Sequence, residues 1–193
     1  MHENPSRLGG ALLVTLVAAC VISLLSFGVR AGFGLFTDPP TRELGISREV
    51  YAIAIAIQNL GWGVTQPLAG FFTDRFGARR VMVVGAILYA SGIVGLAFAT
   101  TPLEICLTGG VLVGVGMGGA SFSTVLAVLG RVVPQAHRSW ALGLGTAAGS
   151  LGQFAVVPLT QAAIQLGTWR TGAWFMAMAV AVIVLAALLV KEP

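Results

Sequence analysis

Charge is what this chain has least of. Asp, Glu, Lys and Arg supply 9% of its 193 residues, against about a quarter in soluble domains, and that excludes an ordinary water-facing surface. The seven acidic residues leave the interior of every long apolar run without a carboxylate, so paired acids for proton-transfer chemistry are not available there. Histidine and cysteine number two each. His2 and His137 fall in a tail and a loop, beside no nucleophile or ligand set, and no Ser-His pair, metal spacing or phosphate loop is present. No catalysis, cofactor or metal is expected. Cys20 and Cys106 lie inside apolar runs, too isolated for a disulfide framework, and read as small packing residues. No basic stripe is interleaved with exposed aromatics, which excludes nucleic acid as a partner despite a net charge of +4.

What is abundant is apolar length. Six runs can each cross about 30 Å of hydrocarbon at about 1.5 Å per residue: 11 to 36, 50 to 72, 81 to 99, 103 to 129, 140 to 165 and 171 to 190. A multi-pass protein in a lipid bilayer follows, its core built between helices, and its 26 glycines suit close helix approach. The first run continues past Cys20 through VISLLSF, longer than a signal peptide needs, so no cleavage is expected there. Assigning loops alternately, one side collects Arg7, Arg75, Arg79, Arg80, Arg131, Arg138 and Lys191, the other Arg42, Arg48 and Arg170. The positive-inside rule then puts both termini in the cytoplasm, with a bacterial inner membrane as the location.

The chain also repeats itself. A shift of 90 residues lays SREVYAIAIAIQNLGWGVTQPLAGFF on HRSWALGLGTAAGSLGQFAVVPLTQAA, matching Arg48 with Arg138 and GARR with GTWR, while Pro67 and Pro158 miss by one. Three spans followed by three similar ones must insert in opposite senses, so the fold class expected is an all-α membrane protein with an inverted 3+3 repeat.

Between runs two and three stands GFFTDRFGARR, a G-x-x-x-D-R-x-G-x-R-R pattern of Gly70, Asp74, Arg75, Gly77, Arg79 and Arg80. Gly70 would let a helix approach, Gly77 permits a tight turn, and Asp74 can accept from backbone N–H groups or pair with an arginine. The pattern and its place resemble the signature loop of the major facilitator superfamily. That resemblance implies a gating latch between two halves of a transporter, of which this chain, 1–193, would be the N-terminal six-helix bundle. LLVKEP follows the sixth run directly, so a second six-helix half or a second copy of the chain is the expected partner. No arginine occurs near Gly110 and no glycine-proline motif in LGLGTAAGSLGQF, unlike proton-driven drug antiporters. FGVRAGFGLFTDPPTRELGIS is instead similar to the first span of the monocarboxylate and oxalate-formate branch. There Arg30 takes the place of a lysine that faces a substrate carboxylate; the branch's span-eight aspartate and arginine have no counterpart in this chain.

Arg30 stands out without any family. A charge inside a span costs about 2.5 to 3.5 kcal/mol on insertion scales, and a planar guanidinium suits bidentate capture of a carboxylate. Snorkelling to the outer headgroups, or pairing with Asp38, is the rival reading. On run two, Asn59, Trp62, Gly63, Gln66 and Gly70 share a face that cannot meet lipid cheaply, opposite Ile57, Leu60, Val64, Leu68 and Phe71. Gln153, with Gly149, Gly152 and Val156, repeats this on run five, Gln153 matching Gly63. Asn59 and Gln153 line a cavity or a helix contact. Thr101, Pro102 and Glu104 read as a capping box, Ser47 and Thr168 as further caps. The resulting expectation is half of a secondary carrier for small organic anions such as monocarboxylates, with Arg30, Asn59 and Gln153 on the substrate. A carrier for a non-anionic solute, or a non-transporting assembly or regulatory partner, remains the alternative.

Overall fold

A computed structural model describes residues 5–190, with side chains from Gly9 onward; the side chain of Arg7, and His2 and Lys191, lie outside the described residues. The chain runs through α1 (Pro5–Gly32), a 3-10 turn (Phe33–Phe36), α2 (Pro39–Leu44), α3 (Arg48–Phe76), α4 (Ala78–Phe98), α5 (Pro102–Ile105), a π turn (Cys106–Leu112), α6 (Val113–Gly119), α7 (Phe122–Val132), α8 (Arg138–Leu166) and α9 (Trp169–Leu189). The six expected runs are all helical, most extended by a few residues. The fourth is not one helix: α5 to α7 form a single span interrupted at Ala120 and Ser121.

Among the described residues, five spans are long and apolar enough to cross a membrane. The one that is not, α3, has 29 residues, about 44 Å at about 1.5 Å each. Its length suffices, but Gln58, Asn59 and Gln66 dilute its apolarity. Its counterpart in the repeat, α8, lies in the segment with the lowest mean hydropathy of the other five, 1.3. The repeat thus pairs the two helices least suited to lipid on all sides.

Packing obeys the same symmetry. The heaviest contacts are α1 on α8, α3 on α6 and the π turn, and α4 on α9; α4 meets α6 as α1 meets α9. Exchanging spans one to three with four to six reproduces this pattern, as an inverted 3+3 repeat requires. Glycine makes the contacts possible. A Cβ on Gly152 would collide with the Leu24 carbonyl oxygen, and one on Gly28 would stand 2.5 Å from Val156. At the symmetry-related contact, between spans two and four, Gly61 faces Gly114, and Gly118 faces Thr65. Leu24 and Gly28 match Gly114 and Gly118 in the 90-residue shift. Gly152 and Val156, however, match Gly61 and Thr65 only when the shift grows by one, as for the prolines. The repeat partner of Gln153 is therefore Trp62, not Gly63.

The caps divide. Thr101 and Glu104 form the expected reciprocal box, and the Thr168 N–H donates to the Thr171 hydroxyl. Ser47 makes no side-chain cap; only its carbonyl is used, by the Val50 N–H.

Candidate functional site

Arg30 lies two residues from the end of α1, yet its side chain turns back along the span. Helical side chains lean toward the N-terminus, and here the guanidinium comes to 4.5 Å from the centre of the Trp62 ring, midway along α3. Its Nη2 donates to Asn59 Oδ1 at 3.2 Å. Asn59 is oriented for this because its own Nδ2 donates to the Ile55 carbonyl at 2.8 Å, leaving Oδ1 as the acceptor. The outward snorkel is excluded by this direction. Pairing with Asp38 is excluded too, since Asp38 bonds Arg48 at 2.9 Å. Among the described residues no carboxylate pairs with Arg30; its partners within this chain are a neutral amide and a ring face.

The guanidinium separates two spaces. On one side is a cavity of about 450 Å³ lined by Arg30, Phe33, Tyr51, Gln58 and Asn59. On the other is a pocket of about 20 Å³ bounded by Arg30, Trp62, Tyr89, Ser121 and Phe122. The larger cavity has a fixed frame. The Tyr51 hydroxyl donates to the Phe33 carbonyl at 2.7 Å, tying α3 to the end of α1, and buried Gln58 donates through Nε2 to Gly109 O at 2.9 Å. That acceptor belongs to the π turn. Helical periodicity singled out Asn59 but not its neighbour Gln58, whose partner lies 51 residues away in a turn with no local sequence signal.

Gln153 is not brought to this place. It is exposed on α8 and lines none of the cavities described, whereas Gly149, Gly152 and Val156 beside it are buried against α1. Its neighbour Phe154 is 80% exposed, so this strip of α8 faces out of the bundle.

The 70–80 turn is built as its residue types require. Gly77 takes φ +88°, a conformation that only glycine adopts without strain. Asp74 pairs with Arg131 at the end of α7, Arg75 lies over the Phe76 ring, and Arg79 and Arg80 are exposed on the first turn of α4. Gly70 is exposed with nothing near its Cβ position, so among the described residues no helix makes the approach expected of it. At the opposite end of the bundle, α2 is strapped to α9: Glu43 accepts from Trp169 Nε1 at 2.7 Å and pairs with Arg170. Arg170, first, then Trp169 hold the Glu43 carboxyl below its ordinary range.

Two inverted three-helix units carry a half-buried cation on the first span and a charged turn at one end. The Major Facilitator Superfamily model matches residues 11–193, and the chain belongs to that superfamily, whose members are carriers and not enzymes. It is 32% identical to Monocarboxylate transporter 13 of Bos taurus over 170 residues, 84% of this chain and 38% of the relative. An uncharacterised MFS-type transporter of Bacillus subtilis (strain 168), YcxA, is 28% identical over 171 residues, 89% of this chain and 41% of that one. Among solved structures, the proton:xylose symporter XylE with bound 6-bromo-6-deoxy-D-glucose superposes with a TM-score of 0.76 at 18% identity, over 96% of this chain and 45% of that one. The chain spans less than half the length of each of these proteins.

Proposed function

We propose that this chain is the N-terminal six-helix half of a secondary carrier in a bacterial inner membrane, which receives a small organic anion on Arg30 and Asn59 and exposes it alternately to the two sides. The observation that carries this is the inward turn of Arg30: a cation held at mid-span depth by neutral partners, beside a cavity large enough for a small solute, keeps its charge for a ligand. The relatives named as monocarboxylate transporters support an anion of that class. Loop charge supports cytoplasmic termini, and puts the Asp74–Arg131 pair at the cytoplasmic end, where it ties the signature turn to span four. A second half, or a second copy, completes the pathway. The apolar faces exposed on α3, with Leu60 69% and Phe71 59% accessible, and the Gln153 strip of α8 suit docking on such a unit.

The test is uptake of labelled acetate into proteoliposomes, by this chain alone and by the chain co-expressed with a second six-helix half. Uptake in either arrangement, abolished by Arg30→Gln, supports the reading. Absence of uptake in both, with correctly inserted protein, refutes it.

A further inference from the structure

The interruption of span four lies where the repeat sets Ala120 opposite Arg30. One unit bears a cation there; the other breaks its helix. Breaking a helix inside a membrane frees backbone groups that must find partners. The Ala120 carbonyl accepts from Ser26 Oγ at 3.0 Å, and Ser121 Oγ accepts the Thr124 N–H at 3.3 Å while bonding the Ser123 and Thr124 hydroxyls. Two sets of donors remain. The N–H groups of Phe122 and Ser123 open α7 with no carbonyl a turn behind to accept them. The Tyr89 hydroxyl, on a side chain that is 0% exposed, has no hydrogen-bond partner, and Tyr89 lines the small pocket together with Arg30, Ser121 and Phe122.

A buried hydroxyl without a partner normally costs stability. Here it borders a pocket of about 20 Å³, room for one oxygen-sized group. Its lining is mostly apolar, with Phe27, Trp62 and Met117, but it also includes Arg30 and the opening of an 11-residue helix, a guanidinium and a helix N-terminus that both favour negative charge. From this we infer that the break in span four is the second half of the anion site: one carboxylate oxygen enters this pocket, taking hydrogen bonds from Tyr89 Oη and from the first amides of α7, while Arg30 bridges it to the larger cavity. The inference rests on the reading of Arg30 above and adds the polar groups that fix the carboxylate's position.

The experiment titrates sodium acetate, with acetamide as the neutral control, into the purified chain in detergent. Tryptophan fluorescence is the signal, because Trp62 lies under the guanidinium. Tyr89→Phe removes one oxygen that bonds nothing in the protein, so the melting temperature should hold or rise. The half-saturating acetate concentration should increase about tenfold, the loss of one hydrogen bond to a charged group. Proline is tolerated at the first position of a helix and lacks the N–H, so Phe122→Pro should bind acetate several-fold more weakly than Phe122→Ala, the pair controlling for loss of the ring that packs on Phe27. Equal binding by Tyr89→Phe and the unsubstituted chain, or by Pro and Ala at position 122, overturns the inference. So does unfolding of Tyr89→Phe. Arg30→Gln separates the two claims. If it loses acetate while Tyr89→Phe does not, the anion site stands without the span-four pocket. If it binds acetate normally, or the unsubstituted chain shows no response specific to acetate, the anion reading itself fails.

Discussion

Arg30→Gln makes the sharpest demand on the anion reading, because binding and stability should move independently. Glutamine retains an amide N–H that can reach Asn59 Oδ1, but loses the charge and the stacking on Trp62, a contact worth about 0.5 to 2 kcal/mol. Against that loss stands relief of about 2.5 to 3.5 kcal/mol for taking a charge out of the span. The melting temperature should therefore stay within a few degrees of the original or rise. Binding is different. Two charge-forked hydrogen bonds to a carboxylate cannot be remade by one amide, and the loss is about 1.5 to 3 kcal/mol, about ten- to a hundredfold. Arg30→Lys should fall between, since it keeps the charge and loses the planar fork. Affinity is read by competition among acetate, acetamide and a quaternary amine in the assembled carrier. If Arg30→Gln binds the preferred solute normally and that solute is neutral or cationic, the organic-anion assignment is wrong, while the carrier fold is untouched.

Three further outcomes follow from the geometry. Gly152→Ala would push a methyl into the Leu24 carbonyl and should destabilise the α1–α8 contact by about 1 to 3 kcal/mol or more, measured by thermal melting in detergent; Gly63→Ala, with open space at its Cβ position, should be neutral. Asp74 and Arg131 are both largely exposed, so Asp74→Asn should change stability by less than about 1 kcal/mol; uptake by the assembled carrier should fall equally for Asp74→Asn, Arg131→Gln and the double variant, and additive losses would show that the pair does not act as a unit. For Glu43 the folded pKa is depressed, so its contribution to stability is present above the ordinary glutamate value of about 4.3 and is lost as pH falls through the folded value; melting of the Glu43→Gln variant should differ from the original chain at neutral pH and converge with it only at strongly acid pH.

The parts of this molecule that were legible in its sequence are those set by neighbours along the chain. Apolar runs gave the spans, and a glycine at 77 gave the turn, because one residue's φ is a local property. The repeat was visible as a pattern, but the pattern did not fix its register within span five. Two spans that match end to end can drift by one residue when the glycines that seat them are spaced differently; the prolines at 67 and 158 show the slip in the sequence, and the contacts of Gly61 and Gly152 show that it is the packing register. The break in span four was hidden because VGMGGASFSTV is apolar and small throughout; Ser121 followed by Thr124 is a cap signal, but it was masked by the continuity of the run. Gln58 and Asp74 needed partners 51 and 57 residues away. Arg30 was conspicuous by its cost, yet its direction was open until Trp62 and Asn59 were in place.

How Arg30 is held bears directly on what it can do. An acidic partner would stabilise a half-buried guanidinium more strongly than an amide does, but it would cancel the charge that makes the proposed site useful, and a ligand carboxylate would then have to displace it. Asn59 and the Trp62 face return part of the desolvation cost without adding negative charge. Across the repeat axis, Ser121 holds the broken end of span four in the same way, using a hydroxyl to cap one amide while leaving the first two N–H groups directed by the helix dipole. In the proposed site the two inverted units therefore bring the same sign to one pocket, one by a formal charge and the other by the end of a helix. A fold whose packing is symmetric has become asymmetric in the residues that would meet a ligand, and both asymmetries favour an anion.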